Sequence, residues 1–426
     1  MKSTAHQQHL FNADGGNPLL QPLLPERTFA QWAVDLYFDP LVNHSQSRSL
    51  LAESLIHSID QLCIPTRKSI TLALNFSGMM IASLRRRDPR IAANRKYLFE
   101  LPLFGDRVNA RNLDQIPWVG EGAPGGIVRG PTGCSKTHSC DAFLRLLPQC
   151  VEHEKNADCG WEYLRQLVYL RVPMPADSSR KGLLINIVWK IDEALETSYA
   201  RELTKQLTQE QLLVKVLTLL AVHRCGLLIL EEVQDRNVAS KALGSEFSTV
   251  FLKILNAGIP LVLVGNPMSF EHVMSFSQDR RRLTNAGLFD FTPAYDHTDD
   301  EWAMDLAPGV WGWTPLPVAD EPIPNLEQLL YERTGGIPGL LSTYRREALI
   351  EAIRAGSESV TAKHVNAAFW SPSMAGMHEL IDTYRRKDLK ALAHKFTDQP
   401  VAYLSETWER ERQIRAYGAS VRSSNV

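Results

Sequence analysis

The chain has 426 residues, 44% hydrophobic and 22% charged, a length that favours two or three domains and a balance that excludes an intrinsically disordered protein. The formal net charge is -2, so any nucleic-acid contact has to come from local basic patches and not from an overall field. Six cysteines, Cys63, Cys134, Cys140, Cys150, Cys159 and Cys225, stand without a C-x-x-C pair, the usage of a reducing cytoplasm.

Residues 1–26, rich in Gln, Asn, Gly and Pro, read as an extended arm, without the cationic start and unbroken apolar run of a secretory signal. Residues 27–117 form a mainly helical N-terminal module by apolar spacing. It contains "LRRRDPRIAANRK", in which six of thirteen residues are basic, a solvated helix end or a partner-docking surface. The longest apolar stretches, Ile70 to Leu84 and Leu212 to Leu230, are interrupted by Asn75 and by Lys215, His223 and Arg224, so no membrane segment is expected.

Beyond the turn cluster "GEGAPGG", a short strand "IVRG" runs into "GPTGCSKT", Gly130 to Thr137, and then into "THSCDAFLRLLPQCVEH", whose spacing is helical. Strand, glycine-rich loop and helix in that order suit a phosphate-binding loop, whose backbone N–H groups wrap phosphates. Lys136 would bridge the β- and γ-phosphates and Thr137 would offer its hydroxyl to Mg²⁺. The usual glycine before the lysine is here Ser135, and a Gly/Ser turn at a helix start would account for the loop taken alone.

Next come the β-rich run "QLVYLRVPM", the segment "PADSSRKG" and the helical stretch "LLINIVWKIDEALETSYA". Cys150, His153 and Cys159 lie close together but lack a fourth metal ligand at fitting spacing, so a loop after a helix is expected there. A helix from about Thr208 to Arg224, with Thr208 and Gln211 spaced as a capping box, leads into "GLLILEEVQ", and another helix leads into "IPLVLVGNP". Continuous apolar strands of this kind belong to a parallel sheet covered on both faces.

"LLILEE" ends its strand with Glu231 and Glu232 at the carboxyl edge of the sheet, where α/β proteins place ligands. One carboxylate would serve Mg²⁺ and the next would orient the attacking water, although an acidic pair also suits a helix N-terminus. Asn266 caps the following strand, either as a γ-phosphate contact or as the start of an Asn-Pro turn. A helix from about Ser269 ends in "DRRRL", where Arg281 and Arg282 either reach a neighbouring subunit's nucleotide or form a solvated end.

"GPTGCSKT", "LLILEEVQ", "LVLVGNP", "RRRLTNAGLFDF" and "LYERTGGIPGLL" stand in the order of the Walker A, Walker B, sensor 1, arginine-finger and lid elements of AAA+ ATPases. In detail, residues 118–370 resemble the TnsC/TniB family of ATP-dependent transposition regulators. The resemblance rests further on "PADSSRKGLL", Gln234 after the acidic pair, the double arginine and "TGGIPG". It implies an α/β AAA+ P-loop core over 118–298 with a parallel sheet, a Trp/Pro-rich linker at 299–325, a helical lid at 326–372 and a helical tail at 373–426.

The same resemblance implies ATP and Mg²⁺ as cofactors and slow hydrolysis of ATP to ADP and phosphate. Gly130, Pro131, Thr132, Gly133, Cys134, Ser135, Lys136, Thr137 and His138 would bind nucleotide, and Thr137 and Glu231 would support the metal. Glu232, Asn266 and Arg281 or Arg282 would serve hydrolysis. The partners implied are double-stranded DNA, further copies of the chain in a ring or helical filament, a transposase and a target-site selector, with no membrane, in a bacterial cytoplasm. Ser178, Ser179, Arg180 and Lys181 sit where the family places a loop facing DNA, and their chemistry suits phosphate contacts.

There are two departures from the family pattern. Ser135 replaces a glycine, and is expected to tune the hydrolysis rate while ATP affinity is kept. Gly339 stands near where many AAA+ lids present an arginine, with Arg345 or Arg346 one or two helical turns on. A P-loop signalling or scaffold ATPase without DNA, and an AAA+ initiator or helicase loader, are the competing readings.

Overall fold

A computed structural model describes residues 16–42, 52, 54–117, 122–175, 179–203, 207–233 and 245–424. The chain forms two compact units. The first holds residues up to Trp32, Thr71–Arg129 and Phe143–Asp290; the second holds Ala33–Ile70, Gly130–Ala142 and Phe291 onward.

The first unit is built on a sheet of five parallel strands. In chain order the strands of this unit are β1 (Gly125–Arg129), β2 (Cys150–His153), β3 (Leu164–Leu167), β4 (Leu170–Pro173), β5 (Leu228–Val233), β6 (Leu261–Gly265) and β7 (Gly287–Asp290). The large sheet runs β4-β5-β6-β1-β7, while β2 and β3 pair separately as an antiparallel hairpin. Every residue of β6 is buried, and Ile127 and Val128 of β1 are 0% exposed, as continuous apolar strands demand under covering layers. Helices Arg180–Leu195 and Gln209–Val222 bury Leu183, Ile187, Ile191, Val216 and Leu220 in the same core as Leu228 and Leu230.

Three details differ from the sequence expectation. The helix after the glycine-rich loop stops at Leu144, and the residues expected to continue it form β2, because Val151 and His153 pair with Gln166 and Leu164. "QLVYLRVPM" is divided between β3 and β4, which belong to different sheets. Third, β5 is irregular where it matters: Leu230 pairs with Leu263 but Val233 with Gly265, so Glu231 and Glu232 together face one residue of β6. Such a bulge bends a strand and re-aims its side chains.

The capping box is present: the Thr208 hydroxyl accepts from the Gln211 amide at 3.2 Å and the Gln211 side-chain oxygen accepts from the Thr208 amide at 3.1 Å. His153 meets the side-chain oxygen of Gln166 at 2.7 Å and the Cys150 thiol donates to the Ala194 carbonyl at 3.1 Å. Both groups therefore serve the packing of the hairpin.

The second unit is helical. Helices Leu326–Thr334, Pro338–Arg354 and Ala362–Phe369 pack around Leu330, Leu341, Tyr344, Leu349 and Val365. The expectation of a loop over 299–325 is corrected in its first half. A π-helical turn, Glu301–Leu306, runs into helix Ala307–Gly312 because Trp302 and Trp311 are core residues, and Trp302 Nε1 donates to the Glu327 carbonyl at 3.0 Å. The tail, His378–Arg386, Leu389–Lys395 and Val401–Ser424, makes a further cluster from Tyr384, Leu392, Leu404 and Trp408 with Ile337. Among the described residues no helix is long and apolar enough to cross a membrane.

Candidate nucleotide site

In the second unit the loop Gly130–Ser135 is shaped by its glycines and by one residue that is not glycine. A Cβ on Gly130 would lie 2.0 Å from the Phe291 carbonyl oxygen, so no side chain fits there. Gly133 has φ +80. Ser135, in place of the usual glycine, holds φ 60, the left-handed conformation that costs a residue with a Cβ about 1 kcal/mol. The Ser135 carbonyl accepts from the Ser139 amide at 2.9 Å and so opens helix Lys136–Leu144.

Lys136 folds back on this loop. Its ammonium donates to the carbonyls of Gly130 at 2.8 Å and Pro131 at 2.7 Å. Burial lowers its pKa, and the thiols of Cys134 and Cys140 only partly oppose that shift. The Cys134 thiol is buried and pushed up to about 12, which leaves it neutral and unreactive. Thr132 and Thr137 are exposed, so the hydroxyl assigned to the metal is accessible.

A cavity of about 270 Å³ adjoins the loop, lined by Gly133, Ser135 and His138 together with Ile59, Lys68 and Pro338. The segment Ile59–Ser69 and the residue Glu301 were missed in the sequence. The Lys68 ammonium lies 3.1 Å from Glu301 Oε2, its amide donates to Glu301 Oε1 at 2.9 Å, and Nζ donates to Thr292 at 3.3 Å. Partners separated by 233 residues leave no local signal.

The lid reaches the loop through backbone. Gly339, at the start of helix Pro338–Arg354, donates its amide to the Gly133 carbonyl at 2.8 Å. Of the two arginines weighed as substitutes for a lid arginine, Arg345 is a clamp. It is 0% exposed, donates to the Trp313 carbonyl at 2.9 and 2.8 Å, pairs with Asp320 at 2.6 Å and lies over the Trp311 ring. Arg346 is turned toward Asp60, which lines the cavity, at 3.1 Å.

In the first unit β5, β6 and β1 run parallel, so their carboxyl ends share one edge, and Arg129 at the end of β1 is bound to Asp290 at 2.8 Å. Glu231 is 12% exposed in its side chain, and both its oxygens accept from Arg171 Nη2 at 2.8 Å. The carboxylate read from the sequence as a metal support therefore already holds a guanidinium. Glu232 follows in the bulge; its side chain lies outside the described residues.

Asn266 accepts from the Met268 amide at 3.1 Å and caps the turn Pro267–Phe270, so its oxygen makes the turn contact weighed in the sequence. Arg282 donates to the side chain of Asn256, whereas Arg281, in the last turn of Ser277–Leu283, is exposed. The described part of "SSRK" begins a helix. Ser178 lies outside the described residues, Ser179 caps a helix by accepting from Gly182 at 2.9 Å, and Arg180 and Lys181 form that helix's first turn.

Residues 120–274 match the profile of the family described as AAA domain. The chain carries an AAA+ P-loop domain. The Orc1 protein of Aeropyrum pernix in complex with DNA aligns at 17% identity and TM-score 0.40, over 73% of this chain and 76% of that one. Cdc6p from Pyrobaculum aerophilum aligns at 14% identity and TM-score 0.36, over 65% and 66% of the two chains. Drosophila ORC bound to DNA aligns at 15% and 0.35, over 80% and 82%. No curated protein matches.

Proposed function

We propose that this AAA+ domain binds and slowly hydrolyses ATP with Mg²⁺, assembles as an oligomer on double-stranded DNA and links target-site selection to a transposase. The observation that carries the nucleotide reading is the Lys136 ammonium, a partly buried cation that donates to two carbonyls of its own loop. A phosphate group would supply the negative charge those carbonyls lack, and the lysine has only to swing off them to meet it. The cavity bounded by Ile59, His138 and Pro338 suits the nucleoside.

In this reading Gly130–His138 hold the nucleotide, and Thr137 and Glu231 support the metal, Glu231 sharing its carboxylate with Arg171. Bound Mg·ATP supplies the scissile phosphoryl group. Glu232 orients water, Asn266 senses the terminal phosphate, and Arg281 rather than the tethered Arg282 serves a neighbouring subunit. DNA contact is assigned to Ser178, Ser179, Arg180 and Lys181. Cations in the first turn of a helix are disfavoured by its dipole, a cost that a DNA phosphate offsets. The transposition role rests on the order and wording of the sequence motifs.

Glu232→Gln tests this assignment. The variant should bind ATP and duplex DNA but stay assembled far longer than wild type, since water activation fails while binding survives. Release on the wild-type schedule would remove Glu232 from the role. With a transposase absent from the complex and a replicative helicase recruited instead, the initiator reading would replace the transposition one.

A further inference from the structure

A second polar cluster lies at the opposite edge of the sheet, where β5 and β6 begin. Arg87 is 4% exposed and Arg224 5%. Arg87 donates to the Ser83 hydroxyl through Nε at 3.2 Å and Nη2 at 2.8 Å, and to the Cys225 carbonyl at 2.7 Å. Ser83 in turn donates to the Gly258 carbonyl at 2.7 Å, so the arginine ties the turn before β5 to the turn before β6. A Cβ on Gly258 would meet Arg87 Cδ at 2.9 Å, so the stem is closely packed.

Three buried donors in this part of the core have no hydrogen-bond partner among the described residues: Arg87 Nη1, Arg224 Nε and the Tyr97 hydroxyl. Asp88, next in sequence, is taken by Arg90 at 2.5 Å. Burial lowers the pKa of Arg87 to about 10, and burial together with the charge on Arg87 lowers that of Arg224 to about 10. Arg224 also holds φ 51 just beyond helix Gln209–Val222, where glycine is the unstrained choice. The residue thus carries backbone strain, a buried unpaired donor and a like-charged neighbour at once, and each is a cost.

We propose that Arg87, Arg224 and Tyr97 form an internal site for a small inorganic anion of the halide class, chloride in the cell. A halide accepts from all three donors and offsets both guanidinium charges. Water fits less well, because it accepts two hydrogen bonds against three donors, and of its own two hydrogens only one finds an acceptor, the Tyr97 oxygen. A phosphate would bring four oxygens to three donors. The bound ion joins the amino ends of β5 and β6 and stiffens the strand whose far end carries Glu231.

The test is thermal unfolding of the full chain in sodium chloride, bromide or gluconate at matched ionic strength, on wild type and Arg224→Gly. Glycine accepts the left-handed backbone, so the variant should fold. The wild-type midpoint should rise with chloride or bromide along a one-site saturation curve, and Arg224→Gly should lose that rise. Crystals grown in bromide should show an anomalous peak within hydrogen-bond distance of Arg87 Nη1 and Arg224 Nε. A midpoint indifferent to the anion, or an ordered water without bromide signal between the arginines, overturns the site.

Discussion

The Gly339 amide donates to the Gly133 carbonyl at 2.8 Å, a single backbone bond that joins the helical lid to the glycine-rich loop. The donor is one of the amides that the first turn of a helix leaves without an internal partner, so the loop completes the lid helix. Here the lid approaches with a glycine where an arginine was the alternative, and backbone contact replaces a cation.

That contact leaves little room for a side chain. A Cβ on Gly339 would stand 3.1 Å from both Cα and O of Gly133, so Gly339→Ala should push the lid off the loop without unfolding the chain. Affinity for a fluorescent ATP analogue should fall about tenfold, ~1.4 kcal/mol, in equilibrium titration. Unchanged affinity would mean that the lid bond is idle in nucleotide binding.

Ser135→Gly should stabilise the fold by about 1 kcal/mol in denaturant unfolding, because the left-handed backbone no longer carries a Cβ. Turnover should also rise, since the loop can then adjust at the catalytic oxygen. Equal stability and equal rate would show that the serine hydroxyl compensates for the strain.

The tail is coupled to the same loop through Ile337. Trp408 packs edge-on against Tyr384, with centroids 6.0 Å apart, in the cluster that buries Ile337, and a Cβ on Gly133 would lie 3.1 Å from Ile337 Cγ2. Trp408→Ala should cost ~3 kcal/mol of tail packing and speed nucleotide release in a chase experiment. Ile414→Ala, on the same helix but 58% exposed, should change neither.

Acid sensitivity follows from two buried histidines. Burial lowers the pKa of His153 and of His223, the second held between the Tyr199 hydroxyl at 2.9 Å and the Arg165 carbonyl at 2.9 Å. A depressed folded-state value means that the unfolded chain binds protons first. The stability is therefore present above the ordinary histidine value of 6.5 and is lost as pH falls below it. The thermal midpoint should drop between pH 7 and about 5, and His153→Gln with His223→Gln should flatten that drop. A parallel decline in the double variant would assign the acid response elsewhere.

Much of the AAA core was legible because its signals are local. The apolar runs ending at Glu232 and Asn266 are sheet strands, the Thr208 capping box forms, and Gly130 and Gly133 occupy positions that demand glycine. The rest depends on partners far along the chain. The bulge at Glu231 and Glu232 is set by the register with β6, and the Arg171 partner of Glu231 comes from β4. Arg345 looked available for nucleotide until Asp320 and the Trp313 carbonyl enclosed it. The tryptophans that made residues 299–325 look like a linker instead anchor two helical turns in the second core.

The most direct test of the central claim is electron microscopy of wild type and Lys136→Ala on duplex DNA, each with a non-hydrolysable ATP analogue. Wild type should form rings or helical filaments on DNA only when the analogue is present. Lys136→Ala should form none, because the terminal phosphates lose their cation. Assembly by the variant, or by wild type without nucleotide, would contradict the account.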